Sequence, residues 1–66
     1  MIDIFRNDTR GCLWLDTAKN FEEAKSKAKV LYEKLPAEYF AFDLISQTRF
    51  VFTLEELGYQ NEKKAT

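Results

Sequence analysis

The chain offers one amphipathic helix and two phenylalanine-rich runs, and this combination limits its fold more than any other feature of the sequence. Tyr39-Phe40-Ala41-Phe42-Asp43 and Arg49-Phe50-Val51-Phe52 hold four of the six phenylalanines, and both runs read as strands. Ahead of them, Phe21, Ala24, Ala28, Leu31 and Leu35 recur at spacings of 3, 4, 3 and 4, with Tyr32 flanking the stripe. The densest apolar material can leave water only if that helix lies across the sheet. Val30 falls opposite the stripe and is expected at the surface.

The helix ends are marked. Asn20 reads as an N-cap, and Glu23, three residues on, is placed to return a bond to the cap backbone. Glu22 and Glu23 add negative charge where the exposed amides favour it, and Glu23 with Lys27 forms an i,i+4 pair in the better orientation. Pro36 has no donor to continue the helix and disfavours helical geometry at Leu35, so the helix should stop near Lys34. Further on, Thr53-Leu54-Glu55-Glu56-Leu57-Gly58 repeats a short capping pattern, with Gly58 as its stop.

Ile2 to Arg6 reads as a first strand and Cys12 to Asp16 as a second, with Asn7 to Gly11 as a hairpin loop. Glu38 to Leu44 and Arg49 to Thr53 are the third and fourth. The expected fold is α+β: a single helix packed on a four-stranded, mainly antiparallel sheet, ββαββ. Two strand orders satisfy this pattern, 2-1-3-4 with every pair antiparallel and 1-2-3-4 with a right-handed parallel crossover. One compact domain is expected over residues 1 to 57, with 58 to 66 as a frayed tail.

The register of the second hairpin decides which side chains face the helix. A three-residue loop, Ser46 to Thr48, pairs Leu44 with Phe50 and Phe42 with Phe52; a two-residue loop places Val51 opposite Phe42 and turns Phe50 and Phe52 outward. The first is preferred because it gathers Phe40, Phe42, Leu44, Phe50 and Phe52 beneath the helix. Leu13 and Leu15 would join them. The uncovered face then carries Phe5, Cys12, Trp14, Tyr39, Ala41, Asp43 and Val51. Phe5, Trp14, Tyr39 and Val51 are accordingly the candidate protein-contact residues.

At 66 residues the chain sits near the lower limit for folding alone, so a homodimer is an attractive source of extra burial. The formal charge is −1, unevenly distributed: residues 19 to 34 hold five lysines against three glutamates, and residues 35 to 57 one arginine against four carboxylates. Such a field is too weak to argue for nucleic acid. Single-stranded nucleic acid stacked on the sheet aromatics, with Arg6, Arg10 and Arg49 as phosphate contacts, is the alternative function. Glu38 and Asp43 border the aromatic run and oppose it.

The single cysteine, Cys12, excludes an internal disulfide, and the absence of histidine removes the usual general base and the commonest metal ligand. Cys12 lacks a helix terminus or base to activate it. Asp3, Asp16 and Asp43, at strand ends, are the candidate acid/base pair or cation site, against a plain role as solubilisers and turn formers; Asp43 in particular can accept bonds from the loop that follows it. No catalytic residue, cofactor or metal is expected, and the chain is read as non-enzymatic. A small molecule would need a groove made by an interface. Neither a leader nor a membrane-spanning run is evident, and a cytoplasmic location is the simplest expectation.

The Asn20-Phe21-Glu22-Glu23-Ala24 helix start, the Leu35 to Asp43 segment with its Glu38-Tyr39-Phe40-Ala41-Phe42-Asp43 core, and the Trp14 strand together resemble a recurring type of short bacterial protein of unassigned function. In that type a hairpin precedes a hydrophobic-Glu-Glu-Ala helix and a Glu-Tyr-Phe-x-Phe-Asp strand. The resemblance spans roughly residues 2 to 52. It implies structure alone and carries over no activity or site residue.

Overall fold

The computed structural model describes residues 1–59. Strands β1 (Ile2–Asp8) and β2 (Gly11–Ala18) form a hairpin, helix α1 (Phe21–Lys34) crosses the sheet, and β3 (Glu38–Asp43) and β4 (Thr48–Val51) form a second hairpin. The sheet order is β2-β1-β3-β4, with every neighbouring pair antiparallel. Of the two orders open to the sequence, this is the one without a parallel crossover.

The local signals act as their chemistry requires. Asn20 accepts from the Glu23 amide at 2.9 Å, although the Glu23 carboxylate returns its bond to the amide of Lys19 (2.8 Å), one residue before the cap. Glu23 also lies 3.8 Å from Lys27. The helix ends at Lys34, and Val30 is exposed. At the second cap, the Glu56 amide donates to the Thr53 hydroxyl and Glu56 accepts from the Thr53 amide, both at 3.2 Å, while Gly58 takes φ +93°.

The core is built on small residues. Ala24 and Ala28 are fully buried on the helix and cluster with Ile2, Ile4, Ala18, Tyr39, Ala41, Phe52 and Leu57. Lacking side-chain atoms beyond Cβ, the two helix alanines let α1 approach the sheet closely over Ala18 and Ala41. Leu15, Leu31, Tyr32 and Phe50 fill the periphery.

The facing of β3 corrects the sequence-based expectation. Tyr39, not Phe40, lies beneath the helix, 1% exposed, and its hydroxyl reaches the carbonyls of Leu35 (2.5 Å) and Leu31 (3.1 Å). Those carbonyls belong to the helix C-terminus; the Leu31 carbonyl also accepts from the Leu35 amide at 2.9 Å, and the phenol adds a side-chain donor there and at Leu35. Tyr39 is therefore core and not an exposed contact residue. Phe40 and Phe42 occupy the opposite face.

The β3–β4 register then decides the facing of β4. The connection is four residues long, Leu44 to Gln47, giving Asp43↔Thr48, Phe42↔Arg49, Ala41↔Phe50 and Phe40↔Val51. Neither shorter loop occurs. Asp43 accepts from the Ile45 amide at 3.1 Å, the loop bond anticipated for it, and Gln47 takes φ 57°. The odd register keeps Phe50 on the helix side, edge-on to Phe21 with centroids 5.0 Å apart, and Phe52, 5.3 Å from Phe50, is buried with it. The expected five-residue set of Phe40, Phe42, Leu44, Phe50 and Phe52 is thus split between the two faces, with Leu44 exposed in the loop.

Beyond residue 57 the chain remains packed for a further step. Tyr59 lies against Tyr32 (5.2 Å between centroids) and beneath the Lys29 ammonium (5.7 Å). Partial burial, followed by the Glu33 carboxylate, raises its phenol above the ordinary 10.0. The rest of the expected tail, 60 to 66, lies outside the described residues.

Replacing Tyr39 with phenylalanine keeps the ring and removes the donor at the helix end. The expected loss is about 1–3 kcal/mol in urea unfolding with an unchanged m-value. A change within about 0.5 kcal/mol, as for an exposed position, would place the phenol outside the core.

Candidate functional site

Directly paired residues of an antiparallel sheet share a side, so the register defines the face that α1 leaves uncovered. Its central row runs Trp14, Phe5, Phe40, Val51 across β2, β1, β3 and β4. One flanking row holds Cys12, Asn7 and Glu38. The other holds Thr17, Asp3, Phe42 and Arg49. A bulge in β2 at Leu15, where the pairing shifts between Ile4 and Phe5, turns Leu15 towards the core and leaves Trp14 on the uncovered side.

Three of the four candidate contact residues therefore share one row: Phe5, Trp14 and Val51. Trp14 is 54% exposed, Val51 is 37% exposed and Phe5 is half-buried. Tyr39 is excluded from the row by its burial under the helix. The residue in its place is Phe40, which sequence parity had assigned to the core.

Phe40 is only 6% exposed although no helix covers it. Phe5 stacks against its ring, with centroids 5.1 Å apart and planes 9° from parallel, and the Arg49 guanidinium lies 4.4 Å from the ring centroid. The middle of the face is thus closed by its own side chains, and the exposed aromatic area is displaced to the β2 margin at Trp14. The cation–π contact depends on Arg49 and Phe40 being neighbours across the hairpin, which follows from the four-residue loop.

Polar partners surround the row. The Trp14 indole N–H donates to Asp3 at 3.2 Å, and the Asn7 amide donates to Glu38 at 2.6 Å. Cys12 is exposed, and its thiol points to the Asn7 oxygen at 3.5 Å, which is not a base able to activate it. The three aspartates have separate partners: Asp3 holds Trp14, Asp16 pairs with Lys27 at 3.5 Å, and Asp43 holds its loop. Among the described residues, no group of three or more potential metal ligands comes together.

The basic residues do not converge on the aromatics. Arg6 shares a row with Leu13 and Tyr39 on the helix side and lies 3.7 Å from Asp8. Among the described residues, only Arg49 reaches the aromatic row. An open, mainly apolar groove of about 520 Å³ begins at the β4 end of the row, where Val51 and Glu38 line it together with Tyr32, Pro36, Phe52 and Leu57, without a convergent set of polar groups. Among the described residues, no helix is long and apolar enough to cross a membrane.

No family model, curated protein or solved structure matches the chain.

Removing the Arg49 guanidinium uncovers Phe40 without touching the helix side. Arg49→Ala is expected to cost about 0.5–1 kcal/mol of stability and to increase binding of a hydrophobic dye. Unchanged dye binding would mean that Arg49 does not shield the ring.

Proposed function

We propose that this chain is a small non-enzymatic protein-interaction or regulatory module, cytoplasmic and acting as a homodimer. The observation that carries the reading is Trp14, 54% exposed at the end of an apolar row on a sheet face that no described element covers. Tryptophan combines a large apolar area with an indole N–H that remains satisfied by Asp3. Phe5 and Val51 extend the same row, so the contact residues of the proposal are Phe5, Trp14 and Val51.

A second reading, stacking of single-stranded nucleic acid, is favoured by the same exposed indole lying beside Phe5 on an open four-stranded sheet. It is opposed by Asp3 and Glu38 on that face and by the engagement of Arg49 with Phe40. Titration with single-stranded RNA at low salt distinguishes the two: resonance shifts at Trp14, Phe5 and Arg49 would favour stacking over the protein contact.

Trp14→Ser tests the principal reading. The monomer should lose far less than the roughly 3–5 kcal/mol of a buried aromatic truncation, whereas self-association in sedimentation velocity should fall. Global unfolding of the variant would mean that the indole is core, and a monomeric wild-type chain at every accessible concentration would remove the homodimer.

A further inference from the structure

We propose that residues 53–59 are a strap that lifts from α1 while the four-stranded sheet stays folded, and that the trough beneath takes a turn of another protein presenting a leucine and, two residues on, a tyrosine. The strap contains none of Phe5, Trp14 and Val51 and is independent of the homodimer reading. Among the described residues, every backbone hydrogen bond of this segment stays inside it: the Leu57 amide donates to the Thr53 and Leu54 carbonyls at 3.1 Å, Gly58 to Glu55 at 3.0 Å and Tyr59 to Leu54 at 2.9 Å. The Thr53 and Glu56 side chains bond within the segment as well. The last backbone bond to the sheet comes one residue earlier, from the Phe52 amide to the Tyr39 carbonyl.

Leu57 and Tyr59 hold the strap down. Leu57 is buried in the core, and Tyr59 lies against Tyr32 and beneath Lys29, with its hydroxyl 3.4 Å from the Glu33 carboxylate. A segment with few buried contacts and no ladder to its neighbours belongs to the least stable part of a fold and opens before the rest. An isolated turn this short is not stable in water, so its internal amide bonds break once it leaves the helix.

Open space flanks the strap. The groove of about 520 Å³ lies on one side, and a second of about 200 Å³, lined by Lys25, Lys29, Glu56 and Gly58 among others, lies on the other. Leu57 lines both, so lifting it joins them into one trough along α1. The chemistry of the partner is that of the occupant already seated there. A branched apolar side chain fills the junction of the grooves, and a phenol packs on Tyr32, meets the Lys29 ammonium with its ring and donates to Glu33. A partner turn carrying this pair must displace the strap, which therefore acts as a built-in competitor and weakens apparent affinity by the fraction of molecules that are open.

Native-state hydrogen exchange on the full chain reads the opening. The Leu57, Gly58 and Tyr59 amides should be at least about tenfold less protected than the ladder amides of β1 and β3. Leu15→Ala, on β2 at the other margin of the sheet, should speed the ladder amides at least about fivefold and leave the strap amides unchanged; strap amides that speed up with the ladder would overturn a separate strap. Leu57→Ser removes the anchor and reads the site. That variant should keep a native circular dichroism spectrum and bind a synthetic peptide of residues 53–59 at about millimolar concentration, with resonance shifts at Lys29, Tyr32 and Glu33. Wild type should bind the peptide at least about tenfold more weakly, and a peptide with serine in place of its Leu57 should not bind. Unfolding of Leu57→Ser would overturn the lifting, and a folded Leu57→Ser chain indifferent to the peptide would overturn the site.

Discussion

Ala24 and Ala28 have no side-chain atoms beyond Cβ, and the close seat they give α1 on the sheet governs the rest of the molecule. Ala18 and Ala41 occupy the same core from below, while Ile2 and Ile4 supply most of the branched bulk. A phenylalanine at position 41 would force the layers apart, and overpacking a tight core typically costs about 1–3 kcal/mol. The strand therefore presents alternate residues Tyr39 and Ala41 to the helix and sends Phe40 and Phe42 to the other face. Tyr39 fits because it stands at the end of the helix, where its ring meets Tyr32 edge-on at 6.5 Å and its hydroxyl serves the terminal carbonyls.

That choice leaves large rings where no helix can cover them, and the sheet answers with its own side chains. Phe5 and Phe40 stack across the two central strands, and Arg49 lies over Phe40. Burial of an aromatic thus occurs on both faces by different means: layer packing on one, and stacking plus a guanidinium lid on the other. Protection of this kind works best where neighbours exist on both sides. At the β2 margin Trp14 has a neighbour on one side only, which is why the exposure collects there.

The sequence was legible where a signal is local. The Asn20 cap, the Pro36 stop, the Thr53 to Gly58 turn and the outward Val30 each depend on a few adjacent residues, and the structure reproduces them. The α+β ββαββ architecture was legible because one stripe and four strand-like runs have few ways to close. The facing of β3 was not, since alternate positions of Tyr39-Phe40-Ala41-Phe42 are all apolar and parity carries no information when both phases are hydrophobic. By total area alone the phenylalanines make the larger core set. Two local signals pointed the other way: small Ala41 beneath small Ala24 and Ala28, and a tyrosine positioned to donate to the carbonyls of the helix end. The loop was equally opaque, because a four-residue connection held by Asp43 has none of the glycine signatures of tighter turns. With that register missing, neither the burial of Phe40 nor its contact with Arg49 could be foreseen; the places of Phe5 and Trp14 on the uncovered face could, whereas Val51 reaches that face through a register other than the expected one.

An open edge ordinarily invites unlimited addition of strands, and the two margins of this sheet bear on that hazard differently. β4 ends after Val51, where the Phe52 amide turns back to the Tyr39 carbonyl at 3.0 Å and the capped turn begins. A short margin carrying a charge is a poor template for another chain. β2 is long, but its bulge at Leu15 interrupts the regular ladder after Trp14. The bulge thus limits how far any added strand could pair along β2, and the short, charged β4 withholds a second point of growth.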